Sequence, residues 1–280
     1  DAARFYRQLG AERVVAGREC TLEEVCRIRR EADVEVEVFA HGAMCVSISG
    51  RCFLSQFVHG KSGNRGECYQ NCRREYRVLS DDGNTELTVE PNTLFSARDL
   101  CTMPFLDQIL DAGVDALKLE GRNRDADYVA TVTSAYREAI DAWAAGTLTE
   151  EQKRALTDKL HTVFHREFSN GFFLGRPIAD FTHADGNVSS LRRDFVGSVT
   201  NYYRQIGVAR ISIRDNTFRV GDQLVIEGPT SGSVRTPVTE IRQEEMPVRQ
   251  TERGEATVPV AARVRENDRV YRLTRRDGEN

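Results

Sequence analysis

The chain has 280 residues, enough for about two domains of ~100–150 residues each. At 40% hydrophobic and 8% aromatic it can bury a core and is not a disordered chain, while a net charge of −4 argues against a generally basic nucleic-acid binder. No apolar run approaches the ~18–20 residues of a membrane span, and no signal-peptide pattern opens the chain.

Residues 2–9 read as the end of a helix closed by Gly10. Because the chain starts inside that amphipathic pattern and on Asp1, it is expected to be part of a larger protein. Residues 12–16 (ERVVA) form a short strand. Thr21 and Glu24 make a capping box that opens a helix running to about Ala32. Residues 34–39 (VEVEVF) then alternate apolar and acidic side chains as a strand does. Strand, helix and strand at this spacing predict a βαβ unit with parallel strands.

Next comes a glycine-broken stretch, 37–74, with four of the seven cysteines: Cys45, Cys52, Cys68 and Cys72. It is locally basic, with six Lys or Arg against two acids between positions 41 and 80. Further on, residues 76–79 read as β-type, 81–84 as a turn, 93–96 as a strand and 103–112 as a helix stopped by Gly113. Residues 114–119 (VDALKL) form a strand ending in Glu120-Gly121-Arg122. A long helix covers 126–145, with Val129, Val132, Tyr136, Ile140 and Trp143 near one face. Another spans 149–165. The fold class is therefore α/β: residues 1–182 as a partial (β/α) TIM-like barrel. Residues 183–280, rich in short β-branched segments, follow as a small antiparallel β-barrel domain. Both the Cys loop and Glu120 would then lie at the C-terminal ends of parallel strands, on one face.

The cysteines are separated by six, fifteen and three residues. An odd cysteine total without export signals favours a reduced, cytoplasmic setting over a disulfide framework. Four thiolates suit an iron–sulfur cluster of the 4Fe-4S type, with zinc as the alternative; disulfides or buried thiols are a further reading. The spacing lacks the paired tight knuckles of a zinc ribbon. Arg and Lys nearby would lower thiolate pKa and offset a cluster's charge. Cys101, placed at the opening of a helix, is a fifth candidate ligand or else a core thiol. Cys20 and Cys26 read as structural.

His41, just past a strand end beside Gly42, is either functional or a loop hydrogen-bonder. Lys118 and Glu120 share strand parity, with Arg122 beyond. They form either a carboxylate- or phosphate-binding set with a proton donor or a structural ion pair. His59 reads as a solvated loop residue, and His161 and His165 as surface or packing residues four apart on a helix.

These stretches also carry a resemblance. The run EVFAHGAMCVSISGRCFLS from Glu37 to Ser55 resembles the signature of the peptidase U32 family, and NRGECYQNCR from Asn64 to Arg73 resembles its next block. SARDLC at 96–101, KLEGR at 118–122 and REFSNGFFLG at 166–175 match further blocks, and the region from FVGSV to VGDQLVIEGP looks like the family's C-terminal β-barrel. Members usually begin with a further half-barrel, so the resemblance implies a missing N-terminal half-barrel or a partner subunit. It implies one of two activities. One is collagenase-like peptidase action, with His41 and Glu120 as acid and base. The other is oxygen-independent hydroxylation of RNA or of a quinone ring, with a 4Fe-4S cluster on Cys45, Cys52, Cys68 and, in the RNA-modifying members, Cys72. For the tRNA-modifying relatives the implied product is wobble 5-hydroxyuridine, with prephenate as the oxygen-donating co-substrate.

The expectation is thus an RNA (tRNA) hydroxylase, with the peptidase and a non-catalytic RNA-binding fragment as alternatives. Cys45, Cys52, Cys68 and Cys72 hold the cluster, and His41, Lys118, Glu120 and Arg122 line the pocket. Arg65, Arg73 and Arg74 contact phosphate. A small-molecule carboxylate is a further expected partner, and a membrane is not.

Overall fold

The computed structural model describes residues 1–89, 95–177, 180–182, 184 and 186–276. The chain packs as two units, one comprising Asp1–Arg122 with Ala135–Val188 and the other Asn123–Ser134 with the chain from Ser189 onward. The sequence reading placed a single cut after residue 182. The packing cut lies after Val188 and sends a short earlier segment to the second unit. Among the described residues no helix is long and apolar enough to cross a membrane.

The first unit opens with α1 (Ala2–Gln8), β1 (Arg13–Val15), α2 (Leu22–Ala32) and β2 (Glu35–Ala43). The capping box at α2 is present: the Thr21 hydroxyl accepts from the Glu24 N–H, and the Glu24 carboxylate accepts from the Thr21 N–H. β1 and β2 pair in parallel, Arg13 opposite Glu35, so the βαβ expectation holds. Past the Cys loop, with its short α3 (Leu54–His59), come β3 (Tyr76–Leu79) and β4 (Glu86–Val89), joined as a hairpin. Then follow β5 (Asp99–Cys101), α4 (Leu106–Asp111), β6 (Ala116–Leu119), α5 (Ala126–Ala144), α6 (Glu150–Leu160) and β7 (Phe168–Ser169).

The first sheet has five strands in the order β1-β2-β5-β7, with β6 also paired to β2. β1, β2 and β6 are parallel, but β5 runs antiparallel to β2 and β7 parallel to β5. It is a mixed sheet, not the wholly parallel arc of the expected partial barrel. Its core gathers Val25, Val36, Val38, Leu100, Phe105 and Ile109. The strand expected at 93–96 falls largely outside the described residues, and β5 lies farther along at 99–101. There, Pro104 at the start of the helical turn Met103–Phe105 ends the extended chain. On α5 the buried face runs through Tyr128, Thr131, Val132, Ala135, Tyr136 and Ala139. Val129 and Trp143, expected on that face, are exposed: Val129 lies at its margin, and Trp143, though in register with Tyr136, sits in the last turn with its indole N–H donating to Asp111 at 2.9 Å.

The second unit is an antiparallel sheet of eight strands: β8 (Leu191–Tyr203), β9 (Val208–Ile213), β10 (Gln223–Gly228), β11 (Gly232–Pro237), β12 (Arg242–Gln243), β13 (Met246–Pro247), β14 (Gly254–Pro259) and β15 (Arg269–Arg275). Their order is β11-β10-β15-β8-β9-β14-β12-β13. Period-two burial along β9 places Ala209, Ile211 and Ile213 inward with Val196, Leu224, Ile226 and Val270. β8 and β9 pack so closely that a methyl at Gly197 would overlap the Ser212 carbonyl. The segment Asn123–Ser134 is bound into this unit by charge. The Asp127 carboxylate accepts from Arg235 Nε at 2.8 Å, Arg235 Nη2 at 2.7 Å and the Ser233 hydroxyl at 3.1 Å. Arg193 bridges Asp125 at 2.7 Å and Glu227 at 2.6 Å.

Asp127→Ala should lower stability by about 2 kcal/mol in a denaturant titration. That is less than the ~3–5 kcal/mol of a fully buried pair, since Arg235 keeps part of its guanidinium in water. An unchanged midpoint would show the pair to be superficial.

Candidate functional site

β2 is longer than its alternating pattern suggested, and this changes the character of His41. The residue lies inside the strand, buried, with its backbone opposite Cys101 on one side and Leu119 on the other. Its ring meets Tyr136 at 5.6 Å and Phe168 at 5.3 Å, both edge-on. The Tyr136 hydroxyl donates to the Ala40 carbonyl at 2.9 Å, accepts from the Thr102 N–H at 3.1 Å and lies 3.5 Å from His41 Nδ1. Burial drives the Tyr136 phenol well above its usual pKa. The expectation of a loop position for His41 is therefore corrected: it is a core histidine.

The expectation that the Cys loop and Glu120 share one edge is met. β2 and β6 run side by side, and the Glu120 N–H donates to the His41 carbonyl at 2.8 Å. Gly42 makes this approach feasible: it sits at φ +115°, and a methyl there would come within 2.5 Å of the Glu120 carbonyl. The Glu120 carboxylate then takes the Arg18 guanidinium at 2.9 Å and the Arg122 backbone N–H at 3.2 Å. Arg18 lies 3.9 Å over the Phe39 ring, and its charge reaches Cys45. Lys118 turns elsewhere, toward Glu37 at 3.9 Å and the Phe39 ring. Lys118 and Glu120 thus belong to two separate ion pairs. Arg122 is exposed, and its guanidinium would be 3.4 Å from a methyl at Gly66 in the Cys loop.

The loop itself is held by polar side chains turned inward. Asn71 is buried, bonded to His59 Nε2 at 3.1 Å and to the Leu54 carbonyl at 3.4 Å, while its own carbonyl accepts from the Tyr76 hydroxyl at 2.7 Å. Ser55, also buried, accepts from the Tyr69 N–H. Arg73 donates to the Ser96 hydroxyl at 2.6 Å, the Ala97 carbonyl at 2.9 Å and the Met44 carbonyl at 3.0 Å, with Asp99 at 4.0 Å. Its guanidinium is turned into the protein, with 7% of the side chain exposed, unlike the surface position that phosphate contact would use. Arg65 and Arg74 are exposed on the same loop. Ile48, Phe53, Phe57 and Val58 point outward, Phe57 with 90% of its surface in solvent.

The four cysteines, all free thiols, lie along this loop. Burial raises the Cys72 thiol, Arg73 pulls it back, and the charges of Cys45, Cys68 and Cys52 each push it up again. Burial also raises the Cys45 thiol, opposed by the Ser47 N–H, with Cys52 and Cys68 adding to the rise. Cys68 Sγ accepts from the Gln70 N–H at 3.4 Å, with Gln70 in the left-handed region at φ 52°. Cys72 thus feels the charge of the other three thiols, and Cys45 that of Cys52 and Cys68. Among the described residues no three His, Cys, Asp or Glu side chains converge as ligands of a single ion. Four thiols on one loop are the donor type that both a 4Fe-4S cluster and a zinc ion take.

Cys101 is separate from the quartet. It ends β5 as a buried core residue, and burial pushes its thiol up to about 12. His161 and His165 do not share a helix, since α6 stops at Leu160. They meet instead at 3.1 Å, His161 Nδ1 to His165 Nε2, with both rings against Phe168. Burial pushes the His161 pKa down, opposed by Asp158. Arg18 and Asn71 were missed by the sequence reading, which placed Tyr136 only on the packed face of its helix. Arg18 alone carried a signal, lying just after β1 at the same strand ends as the Cys loop.

A thiol-rich loop on a mixed α/β sheet, followed by an antiparallel β unit, is one recognisable design. The chain belongs to peptidase family U32, whose model matches residues 1–182. It is 38% identical to a collagenase of Porphyromonas gingivalis over 99% of this chain and 70% of that protein. To the tRNA hydroxylation protein P1 of Bacillus subtilis it is 34% identical, over 81% of this chain and 55% of the relative. A 23S rRNA 5-hydroxycytidine synthase of Escherichia coli matches 51% of this chain at 38% identity, over 21% of its own length.

In metal-free protein at pH 8, Cys101 should resist iodoacetamide until the fold is opened by denaturant. With a pKa of about 12, only about one thiol in ten thousand is ionised there. Mass spectrometry locates the adducts; Cys101 modified as fast as Cys45 would contradict the buried placement.

Proposed function

We propose that this chain is the cluster-bearing part of an oxygen-independent hydroxylase of RNA bases. The observation that carries the reading is that Cys45, Cys52, Cys68 and Cys72 all lie on one loop, which follows β2 at the edge where β2 and β6 end. Similarity to the tRNA hydroxylation protein and the 23S rRNA 5-hydroxycytidine synthase supports RNA as the substrate class. A bound 4Fe-4S cluster supplies one-electron chemistry.

The chain's own residues hold and frame it. Arg73 fixes the Cys72 side of the loop to Ser96, Ala97 and Met44. Arg18, tied to Glu120, supplies a positive charge that favours the Cys45 thiolate. Glu120, held on Arg18 at the strand ends, is the carboxylate best placed to accept or return a proton at a substrate. Arg65, Arg74 and Arg122 are exposed around the loop and serve phosphate or a small carboxylate co-substrate.

The name collagenase on a 38% identical relative keeps peptidase action as the second reading. The geometry favours it less, since the His41 ring, one of its two acid/base candidates, is buried against Tyr136 and Phe168.

Protein purified without oxygen should be brown, with about four irons per chain. Cys45→Ser or Cys72→Ser should lose the colour and most of the iron. Colourless wild-type protein with stoichiometric zinc, combined with gelatin cleavage that chelators abolish, would replace this reading with the peptidase.

A further inference from the structure

The second unit carries a cleft of its own on the outer face of its sheet, formed where β8 and β15 pair. A volume of about 560 Å³ is lined by Phe195, Ser198, Arg214, Asn267, Arg269 and Tyr271. The register explains the grouping. Phe195 lies opposite Tyr271 and Ser198 opposite Arg269, and the bulge at Val270/Tyr271 absorbs the extra residue that would otherwise turn one of these pairs inward. Val196 and Val270 point into the core from the same strands. Phe195 and Tyr271 form an edge-on aromatic pair with centroids 5.6 Å apart. Arg193 lies 4.1 Å over the Tyr271 ring and is itself anchored by Asp125 and Glu227, so the ring is braced from its own unit. Arg214 and Arg269 are exposed at the cleft, and none of its six lining residues is acidic. Asn267 is exposed in the left-handed region at φ 70°, its backbone tied to the Val199 carbonyl.

We infer that this cleft binds single-stranded RNA, with an unpaired base against the Phe195–Tyr271 pair and flanking phosphates on Arg214 and Arg269. Flat, sequence-tolerant aromatic surface beside guanidinium groups is the chemistry by which unpaired nucleotides are held. Arg suits the phosphate bidentately, and the Asn267 amide offers both a donor and an acceptor to a base edge. An apolar peptide would find a wall too polar and too cationic. The inference rests on the RNA reading of the first unit, to which it adds a second point of contact. It explains how a chain with a net charge of −4 could hold a polyanion: the positive charge is local.

The test measures binding of a fluorescein-labelled, unstructured oligoribonucleotide of about ten nucleotides to the full chain, by anisotropy across a salt series. Arg214→Glu with Arg269→Glu should weaken binding about tenfold and flatten the salt dependence by about two phosphate contacts. Tyr271→Leu, which keeps an apolar side chain but no ring face, should weaken binding about tenfold with the salt slope unchanged. Because Tyr271 is half-buried, the exposed arginine pair is the variant that decides if Tyr271→Leu fails to fold. Arg253→Glu, a charge reversal outside the cleft, should leave affinity alone. An equal loss in Arg253→Glu, or full affinity in the double reversal, overturns the inference. So does equal competition by polyglutamate, which would mark an acidic-polypeptide surface. The two readings can fail separately: hydroxylation with unaltered affinity in the double reversal removes only the cleft. Cleft-dependent binding by a protein without iron or hydroxylation removes only the enzyme.

Discussion

The close passage of β2 past the end of β6 is the constraint on which the site depends. Two parallel strands bring their C-terminal ends to one edge, but the Cys loop and Glu120 meet only because Gly42 has no side chain to hold them apart. The hydrogen bond from the Glu120 N–H to the His41 carbonyl fixes the distance, and Arg18 then draws the Glu120 carboxylate toward the cysteines. Backbone geometry thus sets up the electrostatics. Moving Glu120 would also loosen Arg18, the cation whose charge offsets that of a Cys45 thiolate.

Much of the local structure was legible in the sequence. The capping box at Thr21, the parallel βαβ unit, the helix stop at Gly113 and the strands of the second unit follow from caps, periodicity and turn residues, which act within a few positions. That four cysteines share one loop was legible from their positions. What could not be read was the direction of side chains set by distant partners. Arg73 and Arg74 are neighbours of one type, yet one donates to Ser96, Ala97 and Met44 and the other faces solvent. His41 looked like a loop residue because Gly42 suggested a break, whereas here the glycine extends the strand by removing a clash. The antiparallel entry of β5 likewise depends on pairing with β2 some sixty residues earlier, which no local pattern encodes.

On the proposed reading, the two units divide chemistry from grip. The first concentrates thiols and ionisable groups on one loop and its adjoining strand ends. The second places rings and guanidinium groups on a rigid antiparallel sheet whose core is almost wholly aliphatic. Rigid presentation lowers the conformational entropy lost when a flexible single strand is bound, so such a surface can contribute affinity with few contacts.

The Cys loop reverses the usual distribution of polarity. Ser55, Asn71 and the Arg73 guanidinium are inside, while Ile48, Phe53, Phe57 and Val58 are out in water. Its order therefore comes from hydrogen-bond enthalpy and little from the burial of apolar surface. A segment held in this way contributes little heat-capacity change when it opens. Such a loop is expected to open at lower cost than the aliphatic core of its own unit, so warming should release it first.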